Sequence, residues 1–574
     1  MSFRSDLTPI FMATPTPNET LKLNCPTLAG SIARTLTDPG SDRFSEDDVQ
    51  FLKFHGIYQQ DDRDLRKTGK KYIFMVRLRI PGGVLTPAQY LACDDLATRY
   101  GNDTLRVTSR QSLQFHGPVK TGLGALIKGI HDALLTTLAA CGDVNRNVMA
   151  PPAPALNGLG EQVRAYARQA AAALSPHTQA YHSIWVDGVE LNLGSAEQKE
   201  FTDPLYGKTY LPRKFKIGFA IPPLNDVDIF ANCCGFIAVV EGSRLAGFNL
   251  VAGGGMGRSH GNQATFPRLA DLVGFVRPEH VVDTATAVLK IHRDFGDRTN
   301  RKHARLKYIL EDKGVGWFRN ELETRLGFKL EEARPFHFAK QGDDFGWRQQ
   351  ADGRWYLGLF VETGRIKDQG ETRLKTALRE VIRSMQPEVR LTPSNNVLLV
   401  GIAPEKRELV QRLFEKHGIH PEPEASAVRR ASMACVALPT CGLALAESER
   451  FLPGFISRLE PVLDELGLAR QEIVIRMTGC PNGCARPYLA EIGFVGKAPG
   501  RYQIYLGGDH YGMRLNRLYL DNVKDTDLIP QLRPLLARYA AERQDHERFG
   551  DWCARVVWPQ QTAAAAPGPQ PAGV

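Results

Sequence analysis

The sequence predicts an α+β protein whose body is built twice, with mixed sheets and an approximate two-fold axis between the copies. Three observations predict it. The 574 residues exceed what one hydrophobic core usually organises, so several compact units are expected. YIFMVRLRIPGG (72–83), a helical stretch from about Pro87 and LRVTSRQSLQFHG (105–117) have counterparts in RWYLGLFVETGRI (354–366), a helical stretch to about Ser384 and VRLTPSNNVLLVG (389–401). GFIAVVEGSRLAGFNLVAGGG (235–255) likewise matches IGFVGKAPGRYQIYLGG (492–508): strand, turn, second strand, glycine cluster. Their common order favours duplication, with room for a large ligand between the copies, over chance repetition of strand and turn residues.

Each element has a local cause. Strands are read where β-branched and aromatic residues cluster between turn formers. Between the copies, residues 292–327 alternate apolar and charged positions at helical spacing and read as connecting helices, with Arg298, Arg301, Lys302, Arg305 and Lys307 on a solvated face. The Ala/Pro/Gly-rich tail from 559 reads as disordered. A hydrophobic fraction of 43%, a charged fraction of 24% and a mean hydropathy of −0.27 exclude a fibre and general disorder. A net charge of +9 attracts anions without naming one. The opening residues lack a signal-peptide core and no run approaches the roughly 18 apolar residues of a membrane span, so a cytoplasmic protein is expected.

Ten cysteines are too sparse for a disulfide scaffold. Four form a constellation: Cys435-x5-Cys441, then thirty-eight residues, then Cys480-x3-Cys484. Four thiolates can ligate zinc or an iron–sulfur cluster, and the five-residue gap is wider than structural zinc usually takes. Spacing favours a cluster and leaves zinc and plain thiols open. Cys441 precedes an apolar-periodic segment and is expected at a helix N-terminus. Pro481 and Gly483 force a tight turn whose amides can point at sulfur. Setting Gly235-Phe236 on Gly493-Phe494 puts Pro222 and Asp226 opposite Cys480 and Cys484, so one copy alone would carry a metal centre.

Basic residues gather at strands: Arg77 and Arg79, Arg106 and Arg110, Arg146, then Arg213, Lys214 and Lys216 opening the strand KFKIGFAIPP. Taken singly, each suits a solvated strand end; together they suit a buried anion. The glycine-rich 252–263 lacks the order of a phosphate loop. His116, in a strand, suits either packing or haem ligation.

SMACVALPTCGLALAESERFLP (432–453) and RMTGCPNGCARPYLAEIGFVGKAPGRY (476–502) resemble the paired signature of the sulfite and nitrite reductases that couple sirohaem to a [4Fe–4S] cluster. The likeness is greatest to the haemoprotein (beta) components of assimilatory sulfite reductases. It extends through FHGIYQQDDRD (54–64), RVTSRQSLQFHG (106–117), NRNVMAP (145–151) and TYLPRKFK (209–216). The resemblance implies the duplicated sulfite/nitrite reductase fold with ferredoxin-like half-domains. It suggests an N-terminal extension (1–65) wrapping the body, half-domains at 66–135 and 331–420, a first sirohaem-binding α/β domain at 136–330, and a second at 421–558 carrying the cysteines.

By the same resemblance, Cys435, Cys441, Cys480 and Cys484 hold the cluster, with Cys484 also the axial ligand of the sirohaem iron, which argues against ligation by His116. Arg77, Arg146, Lys214 and Lys216 surround the substrate, and Arg106, Arg110, Gln114 and His116 hold the tetrapyrrole periphery. Backbone contact with sirohaem carboxylates then suits the glycine-rich segment. The implied reaction is the six-electron reduction of sulfite to sulfide in sulfate assimilation, with nitrite as the rival substrate. Asn482-Gly-Cys-Ala-Arg486 and KAPGRY favour the sulfite branch. No flavin or nicotinamide fingerprint appears, so a partner chain is expected to deliver electrons. Among relatives this is a diflavin NADPH-oxidising reductase or an acidic ferredoxin, the former preferred here. A metal-knuckle RNA-binding protein is the rival of another class, but no RNP-like aromatic strand or long basic block is present.

Overall fold

The computed structural model describes residues 14–154, 158–178, 184–186, 189–191 and 201–559. Its four main sheets form two matched pairs. One sheet runs Ile57–Asp61, Tyr72–Arg77, Leu113–His116, Leu105–Val107, Arg365–Ile366 in spatial order. Its counterpart runs Gly346–Gln349, Trp355–Leu359, Val397–Ile402, Glu388–Leu391, Val84–Leu85. The last strand of each is lent by the other copy: Arg365 lies opposite Arg106, and Arg390 opposite Val84. Both sheets therefore share one core, in which Phe74 and Val76 join Leu357 and Leu399.

Local chemistry sets the helices against these sheets. Thr86 caps Pro87–Tyr100 by accepting from Gln89 N at 3.2 Å, while Gln89 Oε1 accepts from Thr86 N at 3.0 Å. Leu374–Met385 buries Leu374, Ala377, Leu378, Val381 and Ile382, one apolar stripe at helical spacing. At the exchange point Gly83 has φ +73°, and a Cβ there would meet Leu391 O at 2.6 Å and Gln111 Cβ at 2.8 Å. Only glycine allows so close a crossing.

The second pair of sheets is mixed, as expected. Ile217–Ala220 runs parallel to Cys234–Glu241, followed by antiparallel Arg244–Ala252 and Asp271–Val276. Ile475–Thr478 runs parallel to Ile492–Ala498, followed by antiparallel Arg501–Leu506 and Arg517–Lys524. Among the described residues no helix is long and apolar enough to cross a membrane. The tail from 560 lies outside the described residues.

The segment between the copies departs from expectation. Helices Val281–Phe295 and Leu306–Leu326 are separated by a non-helical stretch, and its basic residues turn inward. Arg298 donates to Tyr210 O at 2.7 Å and pairs with Glu19. Arg301 clasps both oxygens of Asp143 at 2.8 and 3.1 Å, and Lys307 is buried, donating to Gly257 O at 2.9 Å. Lys302 alone of the five remains exposed. Helical periodicity misled here because the counter-charges and carbonyls come from distant segments.

Glu449 ties both copies together. It accepts from Arg106 Nε at 2.7 Å and from Arg365 Nε and Nη2 at 2.7 and 3.1 Å. Burial works against its charge, yet Arg365 and Arg106 overcome that and hold its pKa at about 2. This contribution is complete above the ordinary value of 4.5 and fades as pH falls towards 2. Glu449→Gln leaves two arginines without a counter-charge and should cost about 3–5 kcal/mol at neutral pH. Urea unfolding checks it, and an unchanged midpoint would show that the network adds nothing.

Candidate active site

A cleft opens between the copies, lined by Ser109, Arg110, Lys214, Lys216, Arg305 and Arg486, with Cys484 on its wall. The lining includes no carboxylate. Lys214 and Lys216 immediately precede strand Ile217–Ala220, which carries them to the cleft edge. Neither ammonium has an ion-pair or hydrogen-bond partner among the described residues. Desolvation first, then repulsion from Arg213, Arg305 and Arg146, brings the Lys214 pKa down to about 7. Burial and neighbouring Lys214 and Arg110 push Lys216 well below the lysine range. Arg110 is depressed to about 9 by desolvation, its main cause, with the charges of Arg486, Arg146 and Arg305 adding to it.

The other expected residues divide. Arg77 donates to Cys141 Sγ at 2.9 Å, and the charge of Cys484 is among those that influence it. With its amide oxygen turned to Arg77, Gln114 accepts from Nη2 at 2.5 Å and Nε at 3.0 Å. Arg146 donates to Gly142 O at 2.8 Å and is buried, close enough to depress Lys214. Arg110 reaches Asn232 Oδ1 at 2.9 Å and Ile217 O at 2.8 Å. Arg106 does not line the cleft: beyond Glu449 it donates to Ala434 O at 2.8 Å, beside Cys435. His116 is buried 3.4 Å from the Gln114 amide, and desolvation, then the charge of Arg365, keeps its ring neutral. Arg79 leaves the site for Ser175 and Ala171.

The four cysteines converge. Burial raises Cys435, Cys441 and Cys480, the last to about 11, and in each case the charge of Cys484 is the next cause. Backbone donors offset this: Gly479 N lies 3.4 Å from Cys435 Sγ, Leu443 and Ala444 amides serve Cys441, and the Asn482 amide serves Cys480. All ten cysteines are free thiols. Among the described residues no three His, Cys, Asp or Glu gather tightly enough for one metal ion. Cys441 does not begin a helix; the helix is Leu452–Glu465, and the intervening residues form turns held by Arg63, which donates to Cys441 O and Ala444 O at 2.7 Å each.

Three functional side chains escaped the sequence reading. Arg305 was assigned to the solvated run, Asn232 carries no motif, and Arg486 sat unremarked inside a quoted one.

The family description "Nitrite and sulphite reductase 4Fe-4S domain" matches residues 166–330, the copy bearing the lysines and not the cysteines. "Nitrite/Sulfite reductase ferredoxin-like half domain" matches 66–133 and 348–417. The chain is 51% identical to the sulfite reductase [NADPH] hemoprotein beta-component of Myxococcus xanthus, over 94% of this chain and 96% of that one. The protein of the same name from Shouchella clausii is 48% identical, covering 94% and 95%. The structure of Mycobacterium tuberculosis NirA aligns with a TM-score of 0.77 at 24% identity, covering 94% and 96%, and shows a shared fold.

The Lys214 shift has a sign that can be checked without any cofactor. Unfolded, this lysine titrates near 10.5; folded, near 7, so the unfolded chain binds the extra proton between those values. Relative to Lys214→Met, cofactor-free protein should therefore gain stability as pH rises from 7 to 9. Thermal melts of both proteins test this, and parallel pH curves would refute it.

Proposed function

Since the chain belongs to the nitrite and sulphite reductase family, we propose that it reduces sulfite to sulfide by six electrons, as the haemoprotein component of an assimilatory sulfite reductase. One observation carries the reading: a carboxylate-free cluster of cations faces the same cleft as Cys484, the thiol whose charge reaches the other three. A polycarboxylate tetrapyrrole fits such walls, and four amide-supported thiols fit a [4Fe–4S] cluster. Cys435, Cys441, Cys480 and Cys484 would hold the cluster, and Cys484, the one of the four on the cleft wall, would also serve the sirohaem. Together the two groups supply an electron reservoir beside the substrate.

The chain's own residues do the rest. Arg110, with Arg305 as a further cation, meets the tetrapyrrole carboxylates, while neutral His116 and Gln114 back the Arg77 guanidinium. Arg106 instead supports the cluster side, through its bond to Ala434 O beside Cys435. Arg77 and Arg146 draw electron density from sulfite oxygens. Lys214, poised near neutrality, and Lys216 bind the anion in their protonated forms and yield protons as S–O bonds break. Electrons come from a separate flavoprotein that oxidises NADPH, and ten cysteines without a disulfide among them suit a reducing cytoplasm.

Two variants test this. Cys484→Ser should abolish sulfite reduction, whereas retained turnover would reject the shared-thiolate assignment. Lys214→Ala or Lys216→Ala should lower kcat on the order of 10²-fold with the absorption bands of the pigment preserved. Loss of those bands would assign the lysines to the tetrapyrrole instead. Assays driven by an NADPH-oxidising flavoprotein and by reduced ferredoxin identify the donor.

A further inference from the structure

The axis relating the two copies is marked by an ion pair between equivalent residues. The alignment that sets Gly235 on Gly493 also sets Asp228 on Arg486. Both occupy the left-handed region, at φ 46°, ψ 64° and φ 55°, ψ 49°, and each opens a short 3-10 helix, Ile229–Ala231 or Pro487–Leu489. A side chain held there costs about 1–2 kcal/mol, so surrounding contacts must enforce it.

Those contacts are specific. Asp228 is fully buried. Its carboxylate accepts from Arg486 Nε, from Arg476 Nη1 at 2.7 Å and from Gln341 Nε2 at 2.7 Å. Arg486 also donates from Nη1 to Ser109 O at 2.8 Å and from Nη2 to Pro393 O at 3.1 Å. Ser109 and Pro393 are themselves counterparts, in RVTSR (106–110) and RLTPS (390–394). One guanidinium on the axis thus grips the same loop of both copies. Ser109 Oγ in turn donates to Cys484 O at 3.0 Å. Arg486 lies two residues from Cys484, and Ser109 directly precedes Arg110 of the cleft.

We propose that Asp228 and Arg486 are a positioning pair: Arg486 locks the turn bearing Cys480 and Cys484 onto the cation-bearing loop, and the pair's opposed charges poise the reduction potential of the metal centre. The inference rests on Cys484 being a ligand of that centre. Asp228 is fully buried, and Nε, Nη1 and Nη2 of Arg486 each hold a partner within the protein. Their influence is electrostatic and geometric. Reduction adds negative charge, so a buried cation nearby favours it and a buried anion opposes it.

Redox titration of the cofactor-loaded protein, with iron and sirohaem content measured alongside, tests the pair. Arg486→Gln should shift the cluster potential downward at unchanged cofactor content, and it leaves Asp228 paired with Arg476, so the fold keeps its charge balance. Asp228→Asn should shift the potential upward, and the double variant should return close to the parent. A purely structural role would move both single variants together or neither, and that result overturns the proposal. If Asp228→Asn does not accumulate, an unchanged or raised potential in Arg486→Gln overturns it alone. Parent protein devoid of iron and sirohaem would instead overturn the reading on which the pair depends.

Discussion

Uncompensated positive charge in a closed cleft is the constraint on which the rest depends. Arg110, Lys214, Lys216, Arg305 and Arg486 line one space with no carboxylate among them. Several arginines are answered by carboxylates: Arg301 by Asp143, Arg106 and Arg365 by Glu449 and, at the cleft itself, Arg486 by Asp228. Lys214 and Lys216 are not, and burial together with the neighbouring cations lowers their proton affinity. An anionic occupant relieves that strain, so binding energy and protein stability are coupled through the same lysines.

Duplication explains how so open a site stays rigid. Each half lends a strand to the other, Arg365–Ile366 in one direction and Val84–Leu85 in the other, and the two ferredoxin-like sheets share a single core. The cleft lies where the copies meet, with loops of both within reach of one arginine. The symmetry is broken at the metal centre. Asp226 stands where the second copy has Cys484, so the thiols gather in one copy and the lysines in the other.

Much of this was legible in the residues. Strand order and repeat followed from apolar runs and turn formers, and the cysteine pair from spacing together with Pro481 and Gly483. What stayed hidden depended on contacts between segments far apart in the chain. The basic run at 298–307 looked solvated because its partners, Glu19, Asp143 and the carbonyls of 255–266, lie elsewhere in the chain. Cys441 seemed a helix start because apolar spacing continues through turns that Arg63 pins from outside. The same holds for Arg106, whose place beside Cys435 depends on Glu449 and a backbone carbonyl that no local pattern announces.

The central claim is that Cys484 joins two metal groups into one electronic unit at the wall of a cationic cleft. The most direct measurement is the Mössbauer spectrum of protein enriched in the iron isotope that the method detects, in its resting state. Magnetic coupling between the sirohaem iron and every iron of the cluster is the predicted result. Two independent, uncoupled spectra, or signals from only one kind of iron, would contradict the account.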